Sequence, residues 1–487
     1  MRKQIYAFPA ALQRTAGHAL RARIGKRPGN GAYAAVWEWR RQSGDTGPAL
    51  RRAPMRIAAR HERAQPAKGR RARRRCLGYA GTYPRPGGME TRAFGKRTRP
   101  RACTAFFIGD EGICVEAAME YTFLATAAFG LEGVAANELK RMGLAAKAEN
   151  GGARFAASLA DAYRANLWLR TADRVLMVLA EREVFTFEDL FQLAGGIAWE
   201  KLLPRDAAIH VSGKCVRSRL MSVRDCQAVG KKAIVQRLMK GLNTARLPET
   251  GAQFPIEIAV VNDRARVTLD MSGEALNRRG YRTWNGEAPL RETLAAALVD
   301  ICPWREGMPL YDPCCGTGTL MIEAAFKATQ RAPGLTRSFA CEAYPFMPAE
   351  RMRALRQQAG EAYRQEAPLM IGGSDIDPEA LRLCQRHIAQ AGLAGRIRTR
   401  QADLRNVTLE GEPGVFLLNP PYGERLSDRE GARALYRELG ALSRRHPGWK
   451  LCAITADPGF ERAFGRRADK KRRLYNGRLE CEFFIYM

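Results

Sequence analysis

No uncharged apolar run in this 487-residue sequence reaches the roughly 18 residues that a membrane-crossing helix needs. The N-terminus has no compact apolar core of the signal-peptide kind. None of the 12 cysteines is spaced as CxxC, so the thiols read as reduced groups of a cytoplasmic protein rather than as a disulfide scaffold. Histidine is scarce: the 5 present are scattered, none stands at metal spacing from a second ligand, and no metal site is expected. A GK[ST] phosphate loop is absent too.

Acidic residues are outnumbered, 50 against 80 basic ones, for a net charge of +30. The surplus is uneven. Residues 1–118 carry 26 Lys and Arg against 7 acids, and the remainder nets +11. Both parts favour an acidic polymer such as RNA or DNA as partner. The leader is dense in Arg, Gly and Pro, as in KGRRARRRC and GKRTRPRAC, and reads without helical or strand period. Three readings compete: a disordered RNA-gripping tail, an Arg-rich presequence, or a stretch ahead of a true start at Met119. The third is preferred, because patterned sequence begins abruptly there.

From Met119 the elements are regular. YTFLATAAF reads as a strand, GLEGVAANELKRMG as an amphipathic helix closed by Gly143, ARFAAS as a strand, DAYRANLWLR as a helix and RVLMVLAEREV as a long strand. This β-α-β-α-β succession over residues 119–183 has the size of a ferredoxin-like unit. Residues 184–275 follow with FEDLFQLAGGIAWEKLL (helix), AAIHVSGKCV (strand), RDCQAVGKKAIVQRLMKGL (helix) and two strands turning at Asn262-Asp263. Residues 285–487 alternate strands with helices, which predicts a parallel sheet covered on both faces. Asn476-Gly477 near the end marks a hairpin and so an antiparallel edge.

The first strand of this last region runs into DPCCGTGTL, where Gly316 and Gly318 let a ligand approach the backbone at a helix N-terminus. A dinucleotide fold would want a further Gly where Met321 stands. The next two strands end in acid: Asp375, placed to accept ribose hydroxyls, and Asp403, placed to accept from an adenine amine. Asp377, before Pro378, is expected to cap the following helix. An insertion over about residues 331–368 separates the glycine loop from Asp375. The fourth strand, VFLL, closes in Asn419-Pro420-Pro421-Tyr422. Two prolines fix φ and withhold donors, so the Asn419 amide oxygen and the Pro420 carbonyl stand as fixed acceptors, with the Tyr422 ring as a face for a base.

That order resembles the class I S-adenosylmethionine-dependent methyltransferases of planar amines. From Met119 the chain resembles the bacterial RNA guanine-N2 methyltransferases that carry a THUMP domain, the large-subunit rRNA type in particular. The match rests on YTFLATAAFGLE, LNRRGYRTWNGEAPLRETLAAAL, DPCCGTGTLMIEAA, APGLTRSFACE, GSDID, NPPYGERL and LYNGRLEC. The resemblance implies an α/β Rossmann-like methyltransferase domain, its mostly parallel seven-stranded sheet carrying a C-terminal antiparallel hairpin, behind an α+β ferredoxin-like and THUMP region. It implies S-adenosylmethionine as cofactor, held by Asp312, Gly316, Gly318, Asp375, Asp403 and Asn419, with Pro289 and Leu290 over its methionine end. It implies 23S rRNA or a pre-ribosomal large subunit as partner, with tRNA as the alternative. A protein-glutamine methyltransferase and a non-catalytic RNA-binding assembly factor are the remaining readings. Lys214, Arg217, Arg219, Lys231, Lys232, Arg237 and Lys240 are expected to contact RNA phosphates through the THUMP unit. Arg425 is a weaker candidate for the same role.

Overall fold

A computed structural model describes residues 119–282, 290–422 and 428–487, with the backbone of four short strands before them. The chain divides into two compact units, Met1–Arg99 and Pro100–Met487. In the first, β1 (Ala19–Lys26) pairs antiparallel with β2 (Tyr33–Arg40). This corrects the reading of the leader as patternless. The alternation of Trp37 and Trp39 with Glu38 and Arg40 is a strand signal that the surrounding arginines obscured.

The second unit opens with a short ladder, β3 (Phe107–Ile108) against β4 (Cys114–Val115). Seven strands then form one sheet: β5 (Tyr121–Thr126), β6 (Ala146–Glu149), β7 (Gly152–Ala157), β8 (Arg174–Glu183), β9 (Ala208–Val216), β10 (Gln253–Val261) and β11 (Arg264–Asp270). Their order is β6-β7-β5-β8-β11-β10-β9, antiparallel except for β9 with β10. β8 lies in the middle, paired with β5 on one side and β11 on the other. The regions expected as 119–183 and 184–275 therefore share a single sheet. Asn262 and Asp263 both take positive φ, 51° and 60°, as a two-residue hairpin turn requires.

The helices are α1 (Glu132–Arg141), α2 (Leu159–Trp168), α3 (Phe187–Gly195) and α4 (Val223–Gly241). FEDLFQLAGGIAWEKLL does not form one helix. The Thr186 and Asp189 side chains close a capping box at the start of α3, Gly195-Gly196 ends it, and a separate 3-10 turn buries Trp199.

The second sheet contains β12 (Leu310–Asp312), β13 (Ile371–Asp375), β14 (Arg398–Gln401), β15 (Val415–Leu418), β16 (Lys450–Thr455), β17 (Lys470–Asn476) and β18 (Leu479–Tyr486). Its order, β14-β13-β12-β15-β16-β18-β17, has five parallel strands and one antiparallel strand, β18, with β17 beyond it. Helices α5 (Glu292–Ile301), α6 (Thr319–Ala328), α8 (Pro378–Gln390), α9 (Asp428–Arg445) and α10 (Phe460–Phe464) accompany it.

The insertion after α6 holds α7 (Ala349–Glu361) and ties the two sheets together. Its Arg337 donates to the carbonyls of Glu274, Ala275 and Arg278, and its Tyr344 ring stacks on Phe254 of β10 with centroids 4.7 Å apart. In the linker that follows β11, residues 271–282, Arg279 forms an ion pair with Glu323 of α6 at 3.4 Å, with side chains 1% and 0% exposed. The Tyr281 hydroxyl donates to the same Glu323 oxygen at 3.1 Å. Burial pushes the Glu323 carboxyl above its ordinary range against the pull of Arg279.

Candidate active site

Because β12, β13, β14 and β15 run parallel, their carboxyl ends lie along one edge, and residues far apart in sequence meet there. Leu290, Asp312, Gly316, Asp375, Asp403, Asn419, Pro420, Pro421 and Tyr422 line one cavity of about 1480 Å³. Small-molecule sites occupy roughly 300–1,000 Å³, so this one has room for a cofactor and a second ring. Pro289 and Arg425 lie outside the described residues.

The glycine loop is pinned across the strand ends. The Cys315 N–H donates to the Ser374 carbonyl at 3.0 Å and the Gly316 N–H to Asp375 Oδ2 at 2.8 Å. Both glycines take positive φ, 51° and 83°. They differ in what they face. A Cβ on Gly316 would meet open space, whereas one on Gly318 would lie 2.6 Å from Cys384 Sγ. Gly318 does not line the cavity. It is a left-handed N-cap for α6, packed against Cys384, between Thr317 and Thr319, which do line the cavity.

The carboxylates differ as well. Asp375 is held by two backbone donors, Gly316 and Asp377, one on each oxygen, and keeps lone pairs toward the cavity. Asp312 is 2% exposed, and burial, with Asp375 nearby, pushes its carboxyl well above the usual range. It accepts the Cys314 N–H at 3.1 Å and so shapes the loop. Asp403 is gripped by the Arg405 guanidinium and N–H, chiefly through the side-chain hydrogen bonds, which hold its pKa down to about 2. Asp377 caps α8 through the Glu379 N–H at 2.9 Å.

The corner after β15 is built from behind. All four residues of β15 are buried, and the Tyr436 hydroxyl donates to the Pro421 carbonyl at 2.9 Å. Among the described residues none donates to the Pro420 carbonyl. The Tyr422 hydroxyl donates to Asn419 Oδ1. Its ring is half-buried against the core of the same domain, and burial pushes the phenol up. Tyr422 thus keeps a half-buried ring on the cavity wall and bonds Asn419 through its hydroxyl.

Ile376 and Asn476 are among the lining residues that escaped the sequence reading. Ile376 is 63% exposed beside Asp375, an apolar residue that no period places in a core. Asn476 was absorbed as a hairpin signal, yet it borders the cavity.

The expected phosphate contacts scatter over β9, α4 and the turn between them, and several are already paired. Lys214 meets Glu257 at 3.2 Å, Lys231 meets Glu249 at 3.0 Å and Arg237 meets Glu200 at 2.6 Å. Arg219 lies over the Phe185 ring at 4.8 Å, and Arg217 occupies the turn with φ 48°. Among the described residues Lys232 and Lys240 are exposed and carry no ion pair.

A sheet whose strand order reverses at a glycine loop, with acids at the ends of successive strands, is that of a class I S-adenosylmethionine-dependent methyltransferase. Residues 279–484 match the RMKL-like methyltransferase domain, 185–270 the THUMP domain and 122–176 the RlmL ferredoxin-like domain. The chain belongs to this family of THUMP-containing methyltransferases.

YpsC of Bacillus subtilis strain 168, provisionally named an RNA methyltransferase, is 39% identical over 369 residues, covering 75% of this chain and 96% of YpsC. The ribosomal RNA large subunit methyltransferase K/L of Syntrophotalea carbinolica is 37% identical over 75% of this chain but only 53% of its own length. The chain therefore spans about half the length of the K/L relatives. SMU.472, provisionally named a methyltransferase and crystallised with SAH, superposes with a TM-score of 0.72 at 37% identity, covering 75% of this chain and 98% of that one.

The residues present fit S-adenosylmethionine. Gly316 leaves a cradle that any Cβ would enter, Asp375 offers backbone-fixed acceptors, and Ile376 supplies an exposed apolar face beside it.

Proposed function

We propose that the protein methylates the exocyclic N2 amine of a guanine in 23S rRNA, free or within a pre-ribosomal large subunit. The observation that carries the reading is the pair of acceptors, Asn419 Oδ1 and the Pro420 carbonyl, on the wall of the cavity that fits the cofactor. The K/L relatives, by their name, act on large-subunit rRNA, and the THUMP match supports RNA as the partner. Glycine backbone, Asp375 and Asp403 are the groups assigned to the nucleoside of the cofactor, and Leu290 to its methionine end.

When bound, S-adenosylmethionine supplies an electrophilic methyl with a good leaving group. The protein's part is positioning, which lowers a barrier by several kcal/mol. A guanine amine is a weak nucleophile because its lone pair is shared with the ring. The Asn419 oxygen has two lone pairs; Tyr422 engages one and orients the amide, leaving the other for a substrate N–H. The Pro420 carbonyl takes the second N–H. Two acceptors out of the base plane draw the nitrogen toward tetrahedral geometry and free its lone pair. Pro420 and Pro421 keep the acceptors aimed. In a duplex this amine is turned into the minor groove, so the target base is unpaired or extruded.

The test is incubation of the full chain with methyl-labelled donor and unmodified 23S rRNA, large subunits or tRNA, followed by nucleoside analysis. Label in N2-methylguanosine from 23S rRNA is the expected result. Label in tRNA alone, in a protein, or on an adenine amine overturns the assignment.

A further inference from the structure

Two stretches that the sequence singled out have no part in the chemistry above: AAFG before α1 and LYNG at the β17–β18 turn. They lie more than 340 residues apart, and they meet in space: a Cβ on Gly130 would lie 3.3 Å from Leu474 Cδ2, and just ahead of LYNG the Arg472 guanidinium donates to the Gly130 carbonyl at 2.7 Å. Gly130 takes φ 89°, and a Cβ there would lie 2.7 Å from the Arg473 carbonyl, so the contact requires glycine. Glu132 Oε2 accepts the Gly130 N–H at 2.8 Å and fixes the loop further.

The product of this contact is an aromatic pair on the surface. Phe129 is 59% exposed, and its ring meets that of Tyr475 edge to face, 5.4 Å between centroids at 83°. The Tyr475 hydroxyl donates to Glu480 at 2.6 Å, which holds the ring in place. Asn476, the next residue in the strand, lines the cavity, so the pair lies one residue along the chain from it. The surrounding hairpin is cationic. Lys470, Lys471, Arg472, Arg473 and Arg478 face only Glu480 and Glu482 within residues 470–482. Among the described residues Lys470 and Arg478 are exposed without an ion pair. An exposed ring held rigid, beside a pocket for a base and within a cationic strip, matches single-stranded RNA.

We propose that Phe129, braced by Tyr475, is a stacking platform for a nucleobase adjoining the one being modified, with Arg478 of the same turn meeting its phosphate. This rests on RNA being the substrate. It assigns the loop before α1 a direct share in substrate binding and explains why an exposed phenylalanine is clamped against the edge of the second sheet.

The experiment uses the full chain and two probes: 23S rRNA transcribed in vitro, and a single-stranded RNA decamer carrying 2-aminopurine. Phe129→Ala and Phe129→Leu are expected to raise the KM for rRNA roughly ten-fold and to reduce 2-aminopurine quenching, with kcat and SAH affinity within about two-fold of the parent. Phe129→Trp, which keeps a stacking face, is expected to retain the parental KM. Rescue by leucine would show mere apolar packing and would falsify the platform, as would an unchanged KM in the alanine variant. A change in sedimentation of Phe129→Ala would assign the patch to a second copy of the chain and overturn the proposal equally. Failure of the RNA reading looks different: the parent itself would neither bind the decamer nor methylate rRNA.

Discussion

Both large sheets have seven strands, yet one ends in chemistry and the other in charge pairing. In the first sheet nearly all neighbours are antiparallel, so successive loops alternate between opposite edges and no single edge collects them. Its charged residues turn on one another: Arg154, Arg264 and Arg266 converge on Glu181, the closest at 2.9 Å. In the second sheet the parallel strands deliver Asp312, Asp375, Asp403 and Asn419 to one edge. Parallel connection gathers distant residues and antiparallel connection disperses them. The comparison therefore predicts that single substitutions abolish turnover only at the carboxyl edge of the second sheet.

Asn419→Ala makes the strongest case. It removes an acceptor but none of the groups assigned to the cofactor's nucleoside. The kcat is expected to fall by about 10³-fold or more, on the order of 4 kcal/mol, while SAH affinity measured by calorimetry stays within about three-fold. Parental turnover in this variant would refute the mechanism.

The seam between the sheets should respond in stability instead. Arg279→Met leaves Glu323 buried without its cation, which costs about 3–5 kcal/mol in denaturant unfolding. The sign with pH follows from the raised carboxyl of Glu323, which rises further without Arg279. A raised folded-state value means that the unfolded chain releases its proton first. Stability is therefore retained below the unfolded value and lost as pH rises through the folded one. The deficit of Arg279→Met against the parent should be smaller at acid pH than at neutral pH. A pH-independent deficit would show that the lost interaction is packing rather than charge.

A finer probe of the corner is Tyr422→Phe. The ring remains in the core while the donor that orients Asn419 is gone. The kcat should fall roughly ten-fold, the size of one hydrogen bond, with the melting temperature little changed. An unaltered kcat would mean that the Asn419 amide is oriented by something other than Tyr422.

What the sequence disclosed follows from the range of the interactions involved. Asp377 as a cap, the Asn262-Asp263 turn and the Asn476-Gly477 hairpin were legible because each is decided within a few residues. So were β15 and β16 of the second sheet, whose apolar runs are buried on both sides. Gly318 looked like Gly316 because the spacing is the same; only the position of Cys384, brought in by α8, separates them. The insertion gave no hint that Arg337 and Tyr344 brace the two sheets, since their partners lie in the linker and in β10. The bond from the Tyr422 hydroxyl to Asn419 was not legible, because it depends on the path of the chain around Pro420 and Pro421.

The smallest effect tests the cationic helix α4. Lys231 and Arg237 must release Glu249 and Glu200 before meeting phosphate, whereas Lys232 and Lys240 need release nothing. Each phosphate contact contributes roughly 0.7–0.9 to the slope of log affinity against log salt. Removing Lys232 and Lys240 together should flatten the slope for RNA binding by about 1.5. Removing Lys231 and Arg237 together should flatten it by less than half as much, because part of their charge is already neutralised in the free protein. Equal slopes from the two double variants would show that the acidic partners are released without cost, and the helix would then present a uniform cationic face despite its ion pairs.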